Sequence, residues 1–331
     1  MGSRKWDIVD IDTEEGRVSG IAPVIISASR STDIPAFYSE WLINRLGEGY
    51  VKWINPFNRK PQYITFEKAR VIVFWTKDAG PLVPCLSDID KKGINYYFLF
   101  TMNDYGKEGF EPRVRKLEDR IDTFKLLSEK IGKDKVIWRF DPLILTDQID
   151  VEALLDKIYK IGSRIADYTN KLIISFVDIS IYRKVQNNLL RRKINYKEFT
   201  PEAMETVAKE LSTMNRSWGL EIATCSEGID LSRYNIKRNK CIDYDLLLEL
   251  FPQDEELMSF LDYEDNHSNK VKKLKDKGQR EYCGCIVSKD IGQYDTCNHQ
   301  CLYCYANSSP ENAAGNYQRH LKSSRNRESI L

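Results

Sequence analysis

Six short apolar runs, rich in β-branched and aromatic residues, punctuate the chain at 24–27, 71–75, 96–101, 136–140, 172–176 and 220–224. Continuous apolar runs of this length suit strands buried on both faces, as in a parallel sheet. Between them the apolar positions change period. Val114, Leu117, Ile121, Phe124 and Leu127 recur at three- and four-residue steps, so one helical face would meet the sheet. A further helix is expected after Thr200, a good N-cap. Pro201 takes its first position, Met204, Val207, Leu211 and Met214 lie behind, and Gly219 suits its stop.

Strands alternating with helices imply an α/β fold, either a partial (β/α)6-type barrel or a doubly wound sheet. The polar residues at the strand ends favour the barrel. Ser29, Arg30 and Asp33 follow the first run, Thr76, Lys77 and Asp78 the second, and Thr101, Asn103 and Asp104 the third. Arg139 and Asp141 end the fourth, Asp178 and Ser180 the fifth, Cys225 and Glu227 the sixth. In a barrel these ends converge on one face, where such folds place their chemistry. The expected organisation is an N-terminal hairpin over 1–23, the barrel over 24–262, a cysteine-rich segment over 263–310 and a mobile polar tail over 311–331. The charged stretch 254–277 reads as a solvated helix or linker.

With 331 residues and 42% hydrophobic content the chain can bury one large core. Fifty Lys and Arg against 49 Asp and Glu leave a net charge of +1, without the one-sided field of a nucleic-acid groove, so nucleic acid is not an expected partner. No apolar run reaches the roughly 18 to 20 residues of a membrane span, and no signal-peptide layout opens the chain. A cytoplasmic protein with no membrane partner is expected. Eight cysteines in such a protein point to metal rather than disulfides, and seven lie beyond residue 220. Three histidines leave a His-based hydrolase little to work with.

The spacing Cys297-x3-Cys301-x2-Cys304 is the most specific chemical signal. Three thiolates on one tight loop can bind three irons of a 4Fe-4S cluster and leave the fourth open. Zinc is the competing occupant and would recruit a fourth ligand such as His299 or another cysteine. Cys225, Cys241, Cys283 and Cys285 match a complete four-thiolate site, for a second 4Fe-4S cluster or zinc, against the plainer reading of four buried thiols. Cys85 reads as a core thiol. Arg30, Asp33, Lys77, Arg139 and Asp141 are candidates to line a pocket, because fixed cationic donors suit a carboxylate or phosphate. An internal salt-bridge layer is the alternative. Trp75, Trp138 and Tyr105 read either as a radical shield or as core.

The segment Asp290-Ile291-Gly292-Gln293-Tyr294-Asp295-Thr296-Cys297, continuing to Cys301-Leu302-Tyr303-Cys304-Tyr305-Ala306-Asn307, resembles the radical S-adenosylmethionine motif. Nearly the whole chain resembles the domain-of-unknown-function 1848 family. The shared segments are Ser29-Arg30-Ser31-Thr32-Asp33-Ile34-Pro35, Asn55-Pro56-Phe57, Phe74-Trp75-Thr76-Lys77, Trp138-Arg139-Phe140-Asp141-Pro142, Arg280 with Cys283-Gly284-Cys285, and the cysteine loop. The superfamily resemblance implies a radical-SAM-like barrel in which S-adenosylmethionine chelates the open iron and Tyr303 lies near the adenine; the strand-end cations, Arg139 and Lys77 among them, would suit its methionine carboxylate as they would another carboxylate or a phosphate. Reduction by an electron donor such as a flavodoxin or ferredoxin would then yield a 5′-deoxyadenosyl radical for a small-molecule substrate. The chain departs from that pattern in two respects: the motif follows the last barrel strand instead of the first, and no Gly-Gly-Glu follows the second. Two other function classes compete with the enzyme, a non-catalytic iron-sulfur relay or sensor and a zinc-stabilised binding module.

Overall fold

All six apolar runs form strands, and their neighbours in space follow their order in the chain. The computed structural model describes residues 6–261, 267–323 and 326–331. Its strands are β1 (Asp7–Thr13), β2 (Gly16–Ala22), β3 (Ile25–Ala28), β4 (Tyr50–Ile54), β5 (Pro61–Thr65), β6 (Val71–Thr76), β7 (Asn95–Thr101), β8 (Val136–Leu143), β9 (Leu145–Thr146), β10 (Lys171–Phe176), β11 (Tyr196–Lys197), β12 (Glu221–Thr224), β13 (Ile236–Arg238) and β14 (Lys289–Asp290). Among the described residues, eight strands form one parallel sheet in the order β13-β12-β10-β8-β7-β6-β3-β14. From β3 to β13 the chain steps across one strand at a time. A doubly wound sheet would instead reverse direction midway. Only β14 returns to the far side of β3, and it does not pair with β13.

Alternation along each strand sends neighbouring side chains to opposite faces. Ile26, Ile72, Phe74, Phe98, Phe100, Trp138 and Ile174 pack under the helices Leu117–Ile131, Val151–Ile165 and Pro201–Trp218. The last begins as expected, with the Thr200 hydroxyl accepting from Ala203 N, and ends at Gly219 with φ +68°. On the other face Ile25, Val71, Val73, Tyr97, Leu99, Ile137 and Ile173 meet Ile242, Tyr244, Leu247, Phe251, Leu257 and Leu261.

The expectation of a solvated stretch from residue 254 therefore fails at its start. Leu257 and Leu261 are fully buried, each contributing about 1.5–3 kcal/mol. Asp254 clamps the segment to the sheet by accepting from Arg70 Nε and Nη2 at 2.9–3.0 Å and from Asn95 Nδ2 at 2.6 Å. Residues 262–266, part of the same expectation, lie outside the described residues.

The N-terminal hairpin is present as β1 and β2, but it continues through β5 and β4 into a four-stranded sheet. The tail is also docked rather than mobile. Pro310–Lys322 is helical, Trp41 Nε1 donates to Arg327 O at 2.9 Å, Lys52 N donates to Glu328 O at 2.8 Å, and Ile330 is buried. Among the described residues no helix is long and apolar enough to cross a membrane.

Candidate functional site

β14 delivers the cysteine loop to the C-terminal end of β3. The Asp290 carboxylate accepts from Ser27 Oγ at 2.9 Å, Arg30 N at 2.8 Å and Gly292 N at 2.8 Å. Thr32 then holds the descending chain, its hydroxyl accepting from Gln293 N at 2.9 Å and lying 2.6 Å from Thr296 Oγ1, while Tyr38 OH donates to Thr296 O at 2.8 Å. Beyond Cys297 the loop crosses to segments after other strands. Leu302 N donates to Phe110 O at 2.9 Å, Arg113 N to His299 O at 3.3 Å and Asn188 Nδ2 to Leu302 O at 3.1 Å. The cysteines are thus seated over the strand ends that carry the polar residues.

Two buried networks make the seat. Asp33 accepts from Ala36 N at 3.1 Å and, at 2.7 Å each, from Thr76 Oγ1 and Lys77 N, and it pairs with His299 Nε2 at 2.7 Å. With its carboxylate so occupied, Asp33 ties β3, β6 and the cysteine loop together instead of facing a substrate. His299, the sequence candidate for a zinc ligand, is engaged there through Nε2. The second network joins Lys77 Nζ to Glu111 Oε1 and Tyr303 OH, both at 2.8 Å; Tyr303 OH also donates to Glu111 and accepts from Asn103 Nδ2 at 3.1 Å. Glu111 lies in an irregular loop with no sequence pattern to single it out.

Burial works to raise the Glu111 carboxyl, but Lys77 and Arg120 outweigh it and hold it below its ordinary value. A lowered carboxyl contributes stability that is complete above its unfolded value and is lost as pH falls through the folded one. Lys77→Met should therefore cost about 3–5 kcal/mol, the effect of breaking a buried pair, and move acid unfolding to higher pH. Chemical denaturation across an acid series checks both; an unchanged acid midpoint would refute the pairing as the cause.

Cys301 is buried and Cys297 and Cys304 are partly so. Burial pushes the Cys297 thiol up to about 12, with Cys304 and Asp33 adding to it, and pushes Cys301 and Cys304 up as well. Among the described residues, no three Cys, His, Asp or Glu side chains form a group that could hold a single metal ion. A zinc ion needs sulfurs about 3.8 Å apart, from a Zn–S distance near 2.3 Å. A cubane spreads its thiolates over separate irons and asks for a wider set.

The expected cationic trio divides. Lys77 meets the cysteine loop through Tyr303. The Arg30 carbonyl accepts from Tyr305 OH at 3.1 Å, but its guanidinium stacks over Trp75 at 4.9 Å and reaches Ser288 Oγ at 3.4 Å. Arg139 pairs with Asp141, whose other oxygen accepts from Ser175. Both arginines act electrostatically on the other cysteines, Arg30 on Cys241 and Cys285, Arg139 on Cys225 and Cys241. An open cavity of about 400 Å³ lies beside the segment leading into Cys297, lined by Tyr294 and Asp295 together with Arg59, Arg319 and Arg327.

Residues 25–306, from β3 to just beyond Cys304, match the family described as Domain of unknown function (DUF1848). No curated protein and no solved structure matches the chain.

Proposed function

We propose that this chain, which belongs to the Domain of unknown function (DUF1848) family, is an iron-sulfur enzyme that holds a 4Fe-4S cluster on Cys297, Cys301 and Cys304 and uses S-adenosylmethionine to begin radical chemistry on a small or medium substrate. The observation that carries the reading is the seating of a three-cysteine loop, through Asp290, Thr32, Asp33 and Phe110, over the C-terminal ends of β3, β6 and β7. Parallel β/α folds place their chemistry at that end of the strands. His299, the nearest fourth ligand for zinc, is held by Asp33 through Nε2.

Strand order supports a radical-SAM-like partial barrel and answers one departure of the sequence from it. Counted across the sheet, β14 is the first strand and β13 the last. The cysteine loop follows β14, so in space it follows the first strand, as in the superfamily it resembles. The other departure stands. Residues 29–33 follow the next strand, where the superfamily carries Gly-Gly-Glu; Thr32 and Asp33 hold the loop, and Ser29 Oγ accepts from Ser31 N and Thr32 N.

Polar atoms near the strand ends fit a charged ligand. Among the described residues Glu111 Oε2, Arg30 Nη2, Arg139 Nε and His299 Nδ1 are buried without a hydrogen-bond partner. A cluster held by Cys297, Cys301 and Cys304 would supply an open iron for the amino-acid end of S-adenosylmethionine and an electron for its cleavage. The chain's part is to seat the loop through Asp33, to close the strand ends with Tyr303 and Tyr105, and to keep water from the reacting atoms. A flavodoxin or ferredoxin would deliver the electron.

Protein purified without air should carry about four irons and as many sulfides at this loop. On reduction with S-adenosylmethionine it should release 5′-deoxyadenosine and methionine. Iron and sulfide without that cleavage would replace the enzyme by a redox relay. Zinc without sulfide would end both readings.

A further inference from the structure

We infer that Cys225, Cys241, Cys283 and Cys285 form a second metal centre, a four-thiolate site on the sheet face opposite the main helical layer. The inference stands on different residues from the cysteine loop and does not need S-adenosylmethionine.

Three separate parts of the chain meet there. Cys225 follows β12, with its N–H on Ile174 O at 2.8 Å; Cys241 follows β13; Cys283 and Cys285 come from the segment before β14. Cys225 Sγ and Cys241 Sγ are 3.7 Å apart. Cys285 Sγ reaches the Cys241 backbone N–H, and Cys283 stands two residues before it on the same turn. The turn between the last two is pressed against residue 240, where a Cβ on Gly284 would stand 2.8 Å from Lys240 Cγ. That close approach lets Cys283 and Cys285 share one locality with Cys241.

Nitrogen donors point at two of the sulfurs. Cys285 Sγ accepts from Cys241 N at 3.2 Å and Ile242 N at 3.3 Å, and Asn239 Nδ2 donates to Cys241 Sγ at 3.3 Å. Arg280 Nη2 donates to Cys225 O at 3.4 Å, which brings a guanidinium beside the group. Four thiolates on a divalent ion, or on a cubane of the same charge, carry a net charge of minus two, which a neighbouring guanidinium offsets. Since no three donors yet converge on one point, uptake asks the sulfurs to turn about χ1, the one torsion that moves them. Zinc and an iron-sulfur cluster share this chemistry, and the test separates them.

The chain carrying C297A, C301A and C304A together is purified without air, offered zinc in one portion and iron with sulfide in another, and analysed for all three. It should retain a single zinc, or about four irons with sulfide, and lose that metal on addition of C283S and C285S. A folded triple variant, judged by circular dichroism, that takes up neither metal overturns the inference, as does metal retained after C283S and C285S. Should the triple variant not fold, C285S in the otherwise natural chain decides. Total metal must fall by one centre while the loop's cluster keeps its spectrum, and an unchanged metal content overturns the inference.

Discussion

Replacing any one of Cys297, Cys301 and Cys304 by Ala is expected to remove the loop's iron and reduce S-adenosylmethionine cleavage to background, while leaving the chain folded. A cubane on this loop would have three protein ligands, and with one gone an iron would lose its only tie to the chain. The fold should survive because the loop's attachments do not pass through sulfur. Asp33 with His299, Leu302 N with Phe110 O, and Asn188 with Leu302 O all remain. Losing a small buried thiol should cost about 1 kcal/mol, a modest core truncation. Iron and sulfide assay, electron paramagnetic resonance after reduction and a thermal melt check the three parts. An Ala variant that keeps its full iron and its spectrum sinks the ligand assignment.

Gly292→Ala should do comparable damage without touching a ligand. A Cβ there would lie 1.8 Å from Ser29 Oγ, 2.6 Å from Ser29 Cβ and 2.9 Å from Ser31 Oγ. Turning Ser29 away does not relieve this, because its Cβ is fixed to the backbone and its Oγ accepts from Ser31 N at 3.0 Å and Thr32 N at 3.1 Å. The chain from Asp290 to Gln293 must move instead. It carries the bonds from Ser27, Arg30 and Thr32 that seat the cysteine loop. Overpacking of this kind costs about 3 kcal/mol. The variant should melt lower and lose iron faster to a chelator, and Ser29→Gly in the same chain should recover part of both. Gly315→Ala, in a helix with open space around the added carbon, is the control and should be neutral or stabilising by up to about 1 kcal/mol. Equal behaviour of the two alanine variants would refute the close-packing argument.

The six strands were legible because burial on both faces forces continuous apolar runs, and a run such as Val71–Thr76 has no other comfortable state. The helix after Thr200 was legible for a local reason too, since its cap, first-turn Pro and terminal Gly all act within a few residues. Both cysteine groups announced themselves by spacing or number. β4, β5 and the docked tail did not. Tyr50, Lys52 and Glu328 meet across most of the chain, and the polarity of residues 311–331 hid the buried Ile330 and the carbonyls that Trp41 and Lys52 require. β14 has two residues, too few for any periodicity, and its place beside β3 rests on Asp290.

The sequence by itself determined the local elements and the identity of the chemical groups, because periodicity, caps and ligand spacing are properties of neighbouring residues. Only the tertiary structure decided which groups face one another. It turned Asp33 from a pocket carboxylate into the tie between two strands and His299. It sent Lys77 to Glu111 and Tyr303, laid Arg30 over Trp75 and paired Arg139 with Asp141. Polar residues at strand ends look alike along the chain. What separates them is the direction each strand end gives its side chain and the charge waiting there, and both arise only when the sheet is assembled and its buried charges must find partners.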